Sequence, residues 1–310
     1  MKVAVIDIGT NTFNLLVATR PNRRLIPIEI HKEFVFLGQG GINKNHLQKD
    51  AILRGLTTLK RFKEIIDSLG VSKIIAVATS AVRNAKNGHE FISKVKLLTG
   101  IDIETINGNR EAEYIYNGAR EATNLGDNPA LLIDIGGGST EFIICDKNQI
   151  YWKKSIEVGA ARLFDKFHKS NPINEQEINE IEKYLDKILA QVISKCHSFE
   201  VETLIGSSGA FTSFAKIIAN RLNESEKLIY SSDYEFNLLE FDNVKTNILK
   251  LSLEERLKIP GLIKDRAPMI VVGMVLVDFI INKLNIQRFK LARYALKEGV
   301  ASEFLNRITF

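Results

Sequence analysis

The apolar and polar positions of residues 4–17, AVIDIGTNTFNLLV, recur without a gap in residues 131–144, LLIDIGGGSTEFII. The two Asp residues, Asp7 and Asp134, lie 134 − 7 = 127 positions apart. In each copy an apolar run reaches an Asp, a turn of Gly, Thr, Ser and Asn follows, and a second apolar run leaves it. Apolar runs of this length between turn residues predict buried strands, so each copy reads as a strand–turn–strand hairpin. Gly at the tip lets backbone N–H groups approach an anion together, which suits phosphate. A carboxylate just before the tip is placed to hold a divalent cation carried by that phosphate. One such turn is ordinary, but two in register at half-chain spacing mark a duplicated unit. Two facing hairpins would clamp phosphate between two related domains.

Between and beyond the hairpins the periodicity alternates. Strands are expected near 24–30 and 33–37, a Gly-rich turn at 38–41, and a helix over 47–69 closed by Gly70. A strand at 74–78, helices near 86–98 and 111–121, and a strand at 101–106 complete the first half. The second half predicts a strand at 151–156, a helix from Ala160 and a long amphipathic helix opened by Pro172 and running to His197. A strand entering a small-residue turn follows at 204–210. Residues 211–282 read as mostly helical, broken at Pro260 and Gly261, before a strand at 286–291 and a helix at 295–307. The alternation predicts α/β units with mixed sheets. The expected domains are 1–122, completed by 293–310 as a returning C-terminal helix, and 123–292.

Composition narrows the class. The chain has 310 residues, 45% of them hydrophobic and 25% charged, enough for two cores. The net charge of +5 favours an anionic substrate without requiring a nucleic acid polymer, and no aromatic-plus-basic pattern of a single-strand binder is present. The two cysteines, Cys145 and Cys196, have neither metal nor disulfide spacing, which points to a reducing compartment. The first residues run straight into a strand, leaving no signal peptide. No uncharged apolar stretch approaches the ~18 residues a bilayer span needs. The expectation is a soluble, cytoplasmic protein with no membrane partner.

Five segments carry candidate chemistry. The first is the turn Asp7-Ile8-Gly9-Thr10-Asn11-Thr12. In the second, ATSAVR at 78–83, Arg83 offers a planar fork to phosphate at the C-terminal end of a strand, where α/β ligand sites gather, or is a surface residue at a helix start. The third, NGNREAEY at 107–114, puts Glu111 in the first turn of a helix, where a carboxylate serves equally to stabilise the dipole. The fourth, Asp134 to Glu141, contains Gly136, Gly137 and Gly138 in a row, a run costly to order unless backbone must approach something closely. The fifth, GSSGA at 206–210, is another turn at a helix start, suited to an anion or nucleotide.

The paired hairpins with helix-rich insertions resemble the actin-like ATPase superfamily, two ribonuclease-H-like domains around a central cleft. Over residues 1 to about 300 the chain resembles, more narrowly, the exopolyphosphatase/guanosine pentaphosphate phosphohydrolase (Ppx/GppA) family in its short two-domain form. The segments that carry this recur in order: DIGTNT, LGQGG, ATSAVRNA, INGNREAEYIYNGA, LLIDIGGGSTEF, SIEVGAARL, IGSSGA and RAPMIVVGMVLVDFII. The resemblance implies that Glu111 is the general base on the attacking water. It implies that Gly9, Thr10, Asn11, Thr12, Gly136, Gly137, Gly138 and Ser139 bind terminal phosphates with Arg83 and Arg266. Asp134 and Glu141 match positions associated with a divalent metal, Mg²⁺, and Asp7 faces them across the cleft. It implies homodimers as well. The chain departs from the family pattern at Asn14, where a basic residue is usual, at Arg110, where an acidic one is, and at Ser208 and Ala210, where Gly and Thr are.

The leading expectation is therefore metal-dependent release of terminal phosphate from inorganic polyphosphate. Guanosine pentaphosphate hydrolysis at the same site is the nearest alternative. An ATP-dependent kinase on the same fold would need an adenosine pocket and an acceptor, neither of which is visible. A non-catalytic binder of polyphosphate or the guanosine alarmone would need the catalytic set broken, and it is intact. Lys283, Arg288, Lys290, Arg293 and Lys297 either extend a polyanion track beyond the cleft or form a solvated basic face.

Overall fold

Both predicted hairpins form, and each nucleates a sheet. The computed structural model describes residues 1–308. The first sheet comprises β1 (Val3–Ile8), β2 (Thr12–Thr19), β3 (Ile26–Phe34), β4 (Lys73–Ala78) and β5 (Ile103–Thr105), in the order β3-β2-β1-β4-β5. The second comprises β6 (Ala130–Ile135), β7 (Thr140–Cys145), β8 (Ile150–Ile156), β9 (Thr203–Ser207), β10 (Asp233–Phe236) and β11 (Arg288–Ala292). Its order from the hairpin side is β8-β7-β6-β9-β11-β10. Strand for strand the two agree: an antiparallel trio, then two parallel strands, with β10 added antiparallel at the far edge. The fold is thus two α/β lobes, each built on a mixed sheet, as the paired hairpins predicted.

The helices are α1 (Lys49–Ser68), α2 (Ser80–Arg83), α3 (Gly88–Thr99), α4 (Gly108–Ala122), α5 (Ala160–Phe167), α6 (Glu175–Ile188), α7 (Ala190–Ser198), α8 (Ser208–Arg221), α9 (Ser225–Tyr230), α10 (Leu238–Leu249), α11 (Leu253–Arg256), α12 (Ile270–Leu284) and α13 (Leu296–Ile308). Central strands β6 and β7 are buried along their whole length, which explains the apolar runs at 130–133 and 142–145. Each Leu, Ile or Phe sealed there stabilises the fold by about 1.5–3 kcal/mol. One face of the first sheet packs on α1 and α3, joining Ile6 and Phe13 to Phe62 and Phe91. The other face shares a core with the second sheet through α4 and α13, joining Val5 and Leu16 to Leu132 and Ile143 around Ile115 and Val300. α12 is apolar all round because it is buried in the second lobe's core. No helix of the described residues is long and apolar enough to cross a membrane. Both cysteines are free and buried.

The central layer depends on close backbone approach. A Cβ on Gly118 of α4 would stand 2.0 Å from the Ala295 carbonyl oxygen, and one on Gly299 of α13 would stand 1.8 Å from that of Tyr114. The returning helix thus packs on α4, β1 and β2; residues 309 and 310 of the expected 293–310 span lie outside the described residues.

Several local expectations need correction. The two strands expected at 24–30 and 33–37 are the single edge strand β3, because polar His31 and Lys32 need not interrupt a strand with a free edge. The helix expected from Pro172 to His197 starts at Glu175, where the Asn174 side chain accepts from the Glu177 amide in a capping box. It also breaks at Leu189, yielding α6 and α7. The helical stretch 211–282 contains β10, whose Phe236 stacks on Phe289 of β11 at 4.0 Å between ring centroids.

Candidate active site

Hairpin register places the two tips. Asp7 pairs with Asn14 and Asp134 with Glu141 across their hairpins, so each Asp is the last polar group before a tip. The tips meet. A Cβ on Gly137 would lie 2.8 Å from Asn11 Cγ, and one on Gly138 would lie 2.4 Å from Ser80 Oγ and 2.8 Å from Thr10 Oγ1. Glycine is needed there for contact between lobes as much as for anion approach.

The same backing holds both tips. In the first, the Thr10 carbonyl accepts from the Gly38 amide at 3.0 Å, and the Asn11 carbonyl from the Val35 and Phe36 amides at 3.0 and 2.9 Å. In the second, the carbonyls of Gly136, Gly137 and Gly138 accept from the amides of Ala160, Ala161 and Gly159 at 2.9, 2.9 and 3.2 Å. Each lobe therefore ties its tip carbonyls to the segment that follows its third strand. The amides of Thr10, Asn11, Gly137 and Gly138 find no acceptor among the described residues, and all four residues line the cavity between the lobes. Convergent free amides of this kind suit an anion.

This cavity holds about 350 Å³. The structure brings to its wall Asp7, Gly9, Thr10, Asn11, Thr12, Glu111, Asp134, Gly136, Gly137, Gly138, Ser139 and Arg266. Arg83 and Glu141 stand behind the wall. Arg83 Nη1 donates to Glu111 Oε2 at 2.9 Å and to the Ile106 carbonyl at 3.1 Å, and Nη2 donates to Glu157 Oε1 at 3.2 Å. Its fork is thus engaged by protein carboxylates. Glu141 is sealed from solvent and accepts from Ser155 Oγ at 2.7 Å.

Four acidic groups are crowded into little water. Burial lifts Asp7 to about 6, against the opposing amide of Asn14. Burial also lifts Asp134, which accepts from Ser207 Oγ at 2.8 Å. Glu111 rises for the same reason, although Arg83 opposes it. Glu141 is raised well above the ordinary range, through burial and then the charges of Glu111 and Asp134.

Cations face them. Burial alone brings Arg266 down to about 10; its guanidinium donates to Ser213 Oγ at 2.9 Å and to the Gly209 carbonyl. Lys297 is pulled down by burial but raised on balance by Glu298, Asp7 and Asp134. Lys32 reaches the cavity from β3, directly opposite Asn14 in register. Desolvation within the cleft, then repulsion from Arg266 and Lys297, bring it down to about 7.

No three His, Cys, Asp or Glu side chains among the described residues form a ready-made metal cage. Asp7 and Asp134, both on the wall and both destabilised as anions, nonetheless suit a cation that keeps several waters and takes substrate phosphate oxygens as further ligands. That is how Mg²⁺ is ordinarily held.

Sequence reasoning missed Lys32, Glu157 and Arg162. The alternation of β3 was a usable signal, since it puts Lys32 on the same face as its partner Asn14. Lys297, expected either on a polyanion track beyond the cleft or on a solvated basic face, lines the cavity with Arg293. Lys283 and Arg288 are instead paired with Asp186 and Glu235. Arg110 turns to Glu113 at 2.9 Å, to the Tyr114 hydroxyl at 3.0 Å and to Glu303. Ser208 sits at φ +70°, a left-handed conformation that glycine adopts without strain.

The chain is similar to an exopolyphosphatase from Cytophaga hutchinsonii at 37% identity, with 99% of this chain and 98% of that one covered and a TM-score of 0.96. It is similar to the Ppx/GppA family member of Aquifex aeolicus at 26% identity, with 100% and 99% covered and a TM-score of 0.82. Residues 16–308 match the Ppx/GppA phosphatase family. Paired glycine-rich tips, a buried glutamate and a match over nearly the whole chain lead to one conclusion: the protein is a phosphohydrolase belonging to the Ppx/GppA phosphatase family.

Proposed function

We propose that this phosphohydrolase releases the terminal phosphate of inorganic polyphosphate with the help of Mg²⁺. The observation that carries the reading is the pair of touching tips whose free amides face a cavity walled by Lys32, Arg266 and Lys297. Such a site gathers several cationic and N–H contacts around one cavity, which suits a substrate carrying several phosphates. The exopolyphosphatase likeness from Cytophaga hutchinsonii supports the same substrate.

The Thr10, Asn11, Gly137 and Gly138 amides hold the end phosphate and stabilise the charge that develops on its oxygens. Glu111, aligned by Arg83, takes a proton from the attacking water, a role worth ~10²–10⁴-fold in rate. Burial brings its pKa toward working pH, where a general base is most effective. Asp7 and Asp134 would hold the metal, with Glu141 behind Asp134; the metal neutralises phosphate charge when bound. Lys32 and Arg266 hold the phosphates that remain after cleavage. Phe34 and Phe36, stacked at 5.8 Å and lining the cavity, would also accept a guanine base, which favours guanosine pentaphosphate as a second substrate.

The test is phosphate release with Mg²⁺ by the wild type and by Glu111→Gln. Short and long polyphosphate, guanosine pentaphosphate and ATP are compared. Release from polyphosphate by the wild type, reduced ~10²-fold or more in the variant, is expected. Near-normal release by Glu111→Gln would overturn the assignment of the base. Binding without turnover on every substrate would overturn the hydrolase reading.

A further inference from the structure

Glu157 lies between β8 and α5 on the second lobe, yet its carboxylate reaches the first. Ser80 Oγ donates to its Oε2 at 2.6 Å, and Arg83 Nη2 to its Oε1 at 3.2 Å. From its own lobe, Arg162 Nη2 donates to Oε2 at 3.0 Å. Arg162 is anchored in turn: Nε donates to the Gly138 carbonyl at 2.8 Å and Nη1 to the Ile42 carbonyl at 2.7 Å.

A continuous chain of charge-assisted hydrogen bonds therefore runs from Gly138 through Arg162, Glu157 and Arg83 to Glu111. It joins the tip of the second hairpin to the buried glutamate of the first lobe. The chain alternates two guanidinium groups with two carboxylates, so each charge has a partner. Among the described residues, Arg162 without Glu157 has no acidic partner, and Arg83 keeps Glu111 and the Ile106 carbonyl. Ser80 and Arg83 both sit on α2, so Glu157 grips the element that carries the arginine rather than one side chain alone.

We propose that Glu157 is a positioning residue that holds Glu111 in its working orientation through Arg83, and only while the two lobes are together. The inference rests on Glu111 serving as the base. A carboxylate supplied by the opposite lobe makes closure of the tips on substrate the condition for alignment of the base. Water reaching Glu111 in an open molecule then meets a glutamate that is not aimed.

The test compares wild type, Glu157→Gln, Glu157→Asp, Arg83→Met and the Glu157→Gln/Arg83→Met double variant. The readouts are kcat and KM for polyphosphate, and amide hydrogen exchange over residues 79–85 of each protein. Glu157→Gln is expected to lower kcat ~10- to 100-fold, the scale of a misplaced catalytic group, while KM stays within about threefold. Glu157→Asp recovers part of the loss, the double variant is no slower than Arg83→Met, and exchange over 79–85 rises in Glu157→Gln. Wild-type kcat in Glu157→Gln, additive losses in the double variant, or unchanged exchange would each overturn the proposal. If the wild type releases no phosphate from polyphosphate, the reading of the substrate fails instead. The exchange comparison still decides whether Glu157 holds α2.

Discussion

Asp7 and Asn14 face each other across the first hairpin, with Asn14 Nδ2 donating to Asp7 Oδ2 at 2.8 Å. The amide satisfies the carboxylate without neutralising it, and burial still lifts Asp7 from 3.8 to about 6. Between those values the folded protein binds the extra proton, so stability falls as pH rises through them. Asp7→Asn removes this penalty. It should match the wild type near pH 4 and gain up to about 3 kcal/mol near pH 7.5 without divalent cation. Lys32, brought down to about 7, acts in the opposite direction, and in Asp7→Asn it loses the Asp7 charge that supports its charged form, which trims the gain. Thermal unfolding at the two pH values checks this, and saturating Mg²⁺ should narrow the gap at the higher one. A difference that does not change with pH would refute it.

Gly138 is predicted not to tolerate a methyl group. A Cβ there meets Ser80 Oγ at 2.4 Å, and Ser80 cannot swing away while it is bound to Glu157. Gly138→Ala should lower kcat/KM by ~10-fold or more by holding the tips apart. Adding Ser80→Gly should restore part of it. Steady-state kinetics of the single and double variants provide the check.

Ser208→Gly should raise stability. Ser208 occupies φ +70°, which costs an L-residue about 1–2 kcal/mol. Its hydroxyl returns some of this through a 3.2 Å bond to the Ile135 carbonyl. The expected net gain is about 0.5–1 kcal/mol, or a few degrees in Tm. A lower Tm would mean that the hydroxyl bond outweighs the strain.

The α4–α13 crossing should be the least forgiving place for added volume. A methyl on Gly299 would overlap backbone, the Tyr114 carbonyl oxygen at 1.8 Å, so no rotamer change can relieve it. Gly299→Ala should cost about 3 kcal/mol or more, read from urea unfolding. A shift of only a few tenths would show that the helices can part freely.

Much of this protein was legible along the chain. Strand–turn–strand patterns, the Asp before each tip, the run Gly136-Gly137-Gly138 and Glu111 in the first turn of α4 all depend on neighbours a few positions away. Periodicity and turn chemistry report such neighbours directly. The duplication was legible for the same reason, because two equal local patterns build two equal hairpins. The continuity of β3, the bounds of α6 and the presence of β10 were not, since each was decided by a sheet edge, a cap or a distant partner strand.

The site divides along the same line. By itself the sequence determined which groups would stand at the tips, because covalent spacing and strand register leave those residues nowhere else to go. Only the tertiary structure decided that Lys32 and Lys297 would face Asp7, that Arg83 would serve Glu111 from behind the wall, and that Glu157, 74 positions from Arg83, would close the chain between lobes. Contacts over such separations are set by how α4 and α13 pack between the two sheets, and no local pattern encodes that packing.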